Sequence, residues 1–183
     1  MLRRFAAAAA LALSASVASA QPIASLPVGF TFVDWLTINN ATVGGGAIDD
    51  LNVVYFLKEK QIGNLQSWLI FFDPSTSQSV MGSVTFQQSI AALFTSSTDV
   101  NVTSAAYRLT PTVTYDAVSA TGLEPGDLAS FAGNSLSFDW TASDPGDHVR
   151  VLTNVVPEPS TYAMMIVGLG AITYAARRCL RRA

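Results

Sequence analysis

The chain has 183 residues, half of them hydrophobic, with one cysteine, one histidine and a formal charge of −3. The charge is unevenly placed: residues 21–155 hold twelve acids against four bases (Lys58, Lys60, Arg108 and Arg150), while the other six of the ten basic residues sit in the two ends. So acidic a central segment excludes nucleic acid, whose phosphates demand a basic surface. The lone Cys179 excludes a disulfide framework, and one histidine with no cysteine near it excludes the usual zinc sites.

Met1 to Arg4 is a positively charged start, Phe5 to Val17 an alanine- and leucine-rich run, and Ala18-Ser19-Ala20 a small-x-small cleavage site. That order is a secretory signal peptide. A run of thirteen residues is too short to span a bilayer. Residues 1–20 are therefore expected to be a signal helix removed after Ala20, with Ala18 and Ala20 as the cleavage residues.

Residues 21–155 are long enough for one domain with a real core. Gln21 to Gly29 is an extended entry with Pro22 and Pro27. Phe30 to Ile38 has the β-branched and aromatic content of a strand. The runs Leu51–Leu57 and Trp68–Phe72 are apolar on both faces, as in strands covered on two sides, and the polar stretch Lys58 to Asn64 joins them as a hairpin. Ser79 to Gln87 and Ser89 to Phe94 are further strand candidates, Ser96 to Asp99 caps one helical turn, and Tyr107 to Leu109 and Thr112 to Ala117 return to strand composition. The clearest period-two pattern is Leu136, Phe138 and Trp140 against Ser135, Ser137, Asp139 and Thr141. Val149 and Val151 flank Arg150 in the same manner, after the turn Asp144-Pro145-Gly146-Asp147. Short strands separated by turn residues predict an all-β chain with a single antiparallel β-sandwich at 21–155.

Catalytic chemistry finds little support. A nucleophilic triad would need His148, which alternation places on the face opposite Asp147 and which is expected to be an exposed histidine at a turn edge. No Gly-x-Ser-x-Gly elbow accompanies it. Glu124 and Asp127 lie in a Gly-Pro-Gly loop, where short carboxylates bond to nearby backbone N–H groups. The expectation is no enzyme and no required cofactor. Asp139, Asp144 and Asp147 surround one turn and are weak candidates for calcium, a hard cation that takes oxygen ligands. Trp35, Trp68 and Trp140 fall in strand patterns and are expected in the core.

The tail has three parts: Val156-Pro157-Glu158-Pro159-Ser160, an uncharged run from Tyr162 to Ala176, and a basic end at 177–183 with Arg177, Arg178, Arg181 and Arg182. Each proline fixes its own φ and pushes its predecessor out of the helical region, which leaves the motif extended. The run covers about 22 Å as a helix, short of a hydrocarbon core of about 30 Å, and arginine snorkelling extends it. A membrane helix is expected at 162–176, with the basic end in the cytoplasm. In this order the tail resembles the PEP-CTERM sorting domain of Gram-negative bacteria that make exopolysaccharide, where a Val-Pro-Glu-Pro motif precedes a short membrane helix and a basic end. The resemblance covers only residues 156–183. It implies an exosortase partner acting near Pro157 to Pro159, an inner-membrane intermediate, and a destination at the cell surface or in the extracellular matrix. A structural or adhesive role follows as the expectation. The alternative is a polysaccharide-binding module, with or without calcium, that contacts exopolysaccharide.

Overall fold

The computed structural model describes residues 20–38, 42–43, 50–115, 122–144, 146–155 and 159–180. Residues 20–156 make one compact unit. In chain order its strands are β1 (Ile23–Ser25), β2 (Thr31–Asp34), β3 (Thr42–Val43), β4 (Val53–Ile62), β5 (Leu65–Phe72), β6 (Gln78–Thr85), β7 (Ile90–Phe94), β8 (Thr114–Tyr115), β9 (Leu128–Ala132), β10 (Ser135–Ala142) and β11 (Asp147–Asn154). One helix, α1 (Ser97–Tyr107), lies between β7 and β8, and a second, α2 (Pro159–Leu180), follows β11.

Four strands in the order β1-β6-β10-β9 form one sheet, five in the order β2-β4-β5-β11-β7 form another, and β3 pairs with β8. The two large sheets share a core in which Val80, Val84, Leu136, Phe138 and Trp140 of the first meet Val54, Phe56, Trp68, Ile70, Val149 and Val151 of the second. Pairing is antiparallel apart from β2–β4 and β3–β8, which run parallel. The expectation of a wholly antiparallel architecture is corrected at these two places. The chain has eighteen residues between Asp34 and Val53, enough for a crossover that re-enters a sheet in the same direction. Phe30 to Ile38 is also not one strand, because Asp34 caps a 3₁₀ turn at Trp35–Thr37 and its carboxylate accepts the Leu36 N–H at 3.0 Å.

Alternation in β10 follows the sequence pattern, with Leu136, Phe138, Trp140 and Ala142 inside and Ser137, Asp139 and Thr141 outside. The β4–β5 hairpin is tighter than its composition suggests. Lys58 to Ile62 continue the strand, and the turn is only Gly63-Asn64. The five-stranded sheet is covered twice. Its second face packs Tyr55, Leu57, Leu69 and Phe71 against Trp35, Val43, Val100 and Val113. The 3₁₀ turn, α1 and the β3–β8 pair thus form a third layer, which is why β5 and β11 are buried along nearly their whole length.

That third layer buries Arg150, which alternation sets on the face opposite its two flanking valines. Arg150 and Glu59 side chains are 0% exposed and joined by an ion pair at 2.7 Å. Arg150 Nε donates to Glu59 Oε2 (2.7 Å), Nη2 to Glu59 Oε1 (3.0 Å) and Ser104 Oγ (3.1 Å), and Nη1 to Val100 O and Thr103 Oγ1 (2.7 Å). All five guanidinium donors are used. Ser67 Oγ donates to Glu59 Oε2 at 2.6 Å, so the carboxylate is satisfied as well.

Helix α1 owes its place to this arrangement. Its sequence, Ser-Thr-Asp-Val-Asn-Val-Thr-Ser-Ala-Ala-Tyr, is poor in strong helix formers and buries only Val100 and Ser104. The start is well made: Ser96 Oγ accepts the Asp99 N–H at 3.1 Å and donates to Asp99 Oδ2 at 2.7 Å, and Asp99 sits favourably in the first turn. Three residues of the helix then bind the guanidinium. At the same end Gly122, with φ of +115°, lies so close to Ser96 and Ser97 that an added Cβ would meet their backbone at less than 3.0 Å.

The tail residues Tyr162 to Ala176 lie within the longer α2, yet no helix among the described residues is long and apolar enough to cross a membrane. The expectation of a transmembrane helix at 162–176 is corrected accordingly. The uncharged run has fifteen residues, contains Gly168, Gly170 and Thr173, and is closed by Arg177 and Arg178. Met165, Ile166, Val167, Leu169 and Ile172 are exposed on it.

Replacing Arg150 by Met strands a buried carboxylate and is expected to lower unfolding stability by about 3–5 kcal/mol. Combining Glu59→Leu with Arg150→Met should recover at least half of that loss, while hydrogen exchange in α1 stays faster than in the wild type. Urea denaturation and amide exchange read the two effects separately.

Candidate functional site

The described acids do not converge on one centre. Asp139 stands on the outer face of β10, opposite Met81 of β6 and Leu128 of β9, and Asp144 is exposed in the turn before β11. Asp147 opens β11 in the other sheet and is buried. The three calcium candidates are therefore not brought together, and among the described residues no group of three or more His, Cys, Asp or Glu is arranged to hold a metal ion. Neighbours in sequence are divided here between an outward position on one sheet and an inward position on the next.

Asp147 has different neighbours. Burial pushes its carboxyl up to about 7, and the charges of Asp127 and Glu124 push in the same direction. The Glu124 backbone approaches it, outside ordinary hydrogen-bond geometry. Asp127 is turned to another task, since its Oδ1 accepts the Thr141 N–H at 2.7 Å. Gly146, just before Asp147, has φ of +79°, and an added Cβ would lie 2.6 Å from Phe72 O and 2.7 Å from Asp73. This close approach seats the start of β11 against the end of β5.

His148 is not the exposed turn-edge residue expected from sequence. It is 1% exposed and stacked on Phe71, with ring centroids 5.5 Å apart and planes at 14°. Burial lowers its pKa to about 4, and the positive charge of Arg150 adds to the effect. A neutral imidazole in the core has no route to a substrate. The three tryptophans are core residues, Trp35 from the 3₁₀ turn instead of a strand: Trp35 edges onto Tyr55 and Phe71, Trp140 stacks on Phe138, and Trp68 donates to Thr153 Oγ1 at 3.0 Å. None of them is an exposed platform for a sugar ring.

The final strand leads directly to the tail. Asn154 N–H donates to Ser89 O at 2.9 Å, its side chain donates to Ser89 Oγ at 2.9 Å, and Val155 N–H donates to Asn64 O at 2.7 Å. Backbone pairing of the domain therefore runs to the residue before Val156. Val156, Pro157 and Glu158 lie outside the described residues, as do Ala18, Arg181 and Arg182. Ala20 is exposed ahead of β1. Pro159 is the first residue of α2, where its missing N–H breaks no intrahelical bond. Arg177 and Arg178 are exposed in the last turn, where positive charge complements the helix dipole.

The PEP-CTERM protein-sorting motif matches residues 155–182. The chain is a PEP-CTERM domain-containing protein. The match covers the tail alone, and no curated protein and no solved structure matches the chain. PEP-CTERM tails direct exported proteins to exosortase and associate with the membrane during sorting, so export and exosortase handling belong to this chain. The arginines expected to form the basic end fall within the matched span, as do Val156 to Pro159.

The residues that sequence reasoning missed in this PEP-CTERM protein are Glu59 and Arg150. One signal was present: only four bases occur between residues 21 and 155, and Arg150 sits in the middle of a valine-rich run.

Two titrating groups give opposite pH signatures. Asp147, raised from 3.8 to about 7, contributes stability that is complete below the lower value and lost as pH rises through the upper one. His148, lowered from 6.5 to about 4, contributes stability that is complete above 6.5 and lost as pH falls through 4. Asp147→Asn is expected to gain on the wild type above pH 7, by about 1–3 kcal/mol, with the gain vanishing below about pH 4. His148→Phe should flatten the acid limb and leave the neutral limb unchanged. Urea midpoints measured at intervals from acid to alkaline pH test both.

Proposed function

We infer that this is a non-catalytic exported protein whose acidic β-sandwich is handled by exosortase at the inner membrane and delivered to the cell surface or the exopolysaccharide matrix, where it has a structural or adhesive role. The sorting-motif match at 155–182 carries the reading. A signal peptide at the other end of the chain supports it, since the two signals act in sequence on one exported chain. The non-catalytic part is supported by the position of the single histidine in the core, stacked on Phe71.

The division of labour is physical. The domain completes its pairing at Val155, so processing at 157–159 removes no strand. The tail supplies an address, and the sandwich supplies whatever the protein does on arrival. Its composition suits a wet external setting, with twelve acids against four bases; Glu59, Asp73, Asp147 and Arg150 are buried, and of the bases only Lys60 is exposed.

Replacing Pro157-Glu158-Pro159 by three alanines is expected to leave the chain unprocessed. Intact-mass analysis of fractionated host cells, with and without exosortase, is the test, and identical processing of the alanine variant would sink the sorting reading. A chain ending at Val156 should unfold within about 2 °C of full length, since a change below 1 kcal/mol moves a domain of this size by only a few degrees. A chain ending at Val149, which lacks Arg150, should not fold.

A further inference from the structure

The outer face of the four-stranded sheet carries a feature that neither sorting nor core packing uses. Cross-strand register places Ser25 opposite Ser83, Ser83 opposite Ser137, and Ser137 opposite Ser130. Four serines thus form one rung across β1, β6, β10 and β9. The neighbouring rung is Met81, Asp139 and Leu128. Both rungs line a single open groove of about 650 Å³. That size is in the range of small-molecule and cofactor sites.

We propose that this groove binds a neutral polysaccharide chain, laid across the strands along the serine rung. The chemistry selects the occupant. Strands spaced about 4.8 Å apart set the four hydroxyls over roughly 14 Å, a repeat comparable with the length of a pyranose ring. Each serine both donates and accepts, as does each sugar hydroxyl. Asp139 adds one charged acceptor, which forms the stronger class of hydrogen bond with a hydroxyl. Met81 and Leu128, each 65% exposed, offer apolar contact to the C–H faces of the ring.

Charge excludes the competitors. No lysine or arginine lines the groove, and its one ionisable residue is acidic. Phosphorylated, sulfated or uronate-rich polymers would meet an uncompensated carboxylate on a domain already rich in acids. A protein partner would gain little, because the lining lacks the exposed Trp, Tyr and Arg that dominate protein interfaces. The proposal rests on the export reading above, since only an exported domain meets such a polymer.

The test is affinity electrophoresis of the full chain in mild detergent through gels containing mixed-linkage β-glucan, galactomannan or dextran, with alginate as the polyanion. The wild type is expected to be retarded by at least one neutral polymer and not by alginate. The double variant Ser83→Val with Ser137→Val should weaken that retardation roughly tenfold, the loss of about two neutral hydrogen bonds. Valine suits an outward strand position, and thermal unfolding verifies that the fold is kept. Thr85→Val with Ser135→Val, one rung away and outside the groove, should change nothing. Absence of retardation by all three neutral polymers, equal retardation of the groove variant, or preference for alginate overturns the proposal. A change in molar mass of the groove variant by light scattering does so too, because the face would then be an interface between copies. Exosortase processing of the groove variant in the host is expected to be normal, so failure of glycan binding leaves the export reading standing.

Discussion

The fold depends on one buried ion pair. Arg150 and Glu59 come from β11 and β4, two strands separated by β5, and meet on the face of the sheet that α1 covers. Two charges away from water cost several kcal/mol each unless every donor and acceptor is matched. Here the guanidinium places two bonds on the carboxylate and three on α1, while Ser67 completes Glu59. The pair therefore does more than neutralise itself. It fixes a helix whose own sequence offers little reason to be helical and little apolar surface to bury.

From that pair the layering follows. With α1 held in place, Val100 closes over Leu57, Leu69 and Phe71, and the five-stranded sheet becomes a middle layer with a core on each side. His148 and Asp147, which open β11, are drawn into the same burial and shifted in opposite directions, one toward the neutral base and the other toward the neutral acid. Both shifts are costs of burial that packing elsewhere offsets. One ring lies flat on Phe71, and the carboxyl sits near Glu124 and Asp127.

The opposite sheet behaves differently. Only its inner face is covered, and its outer face presents Ser, Thr and one Asp to solvent together with Met81 and Leu128. A sheet with one wet face is compatible with the export that the sorting motif implies. The tail and the domain make separate contributions. One is a linear signal read by an enzyme, and the other is a surface that exists only when four strands lie in register.

Much of this was legible in the linear chain, for reasons of local physics. The Pro-Glu-Pro motif and the basic end fall within the matched sorting motif and are read as linear sequence, so their meaning does not depend on folding. Period-two alternation in 135–141 and two-faced apolar runs at 51–57 and 68–72 report burial directly, because side chains of a strand must point to alternate faces. What only the tertiary structure decided was everything that depends on partners distant in sequence. Glu59 and Arg150 are 91 residues apart, and no local pattern announces that two charges will meet in a core. Of helix α1 only the capped first turn was legible, because the rest of it is stabilised by that distant arginine instead of by an apolar stripe. The serine rung joins residues from 25 to 137, and the dispersal of Asp139, Asp144 and Asp147 follows from the sheet change at that turn. Local chemistry fixes what each segment tends to be, but register and layer order fix which segments face one another, and that is where the surface of this domain is made.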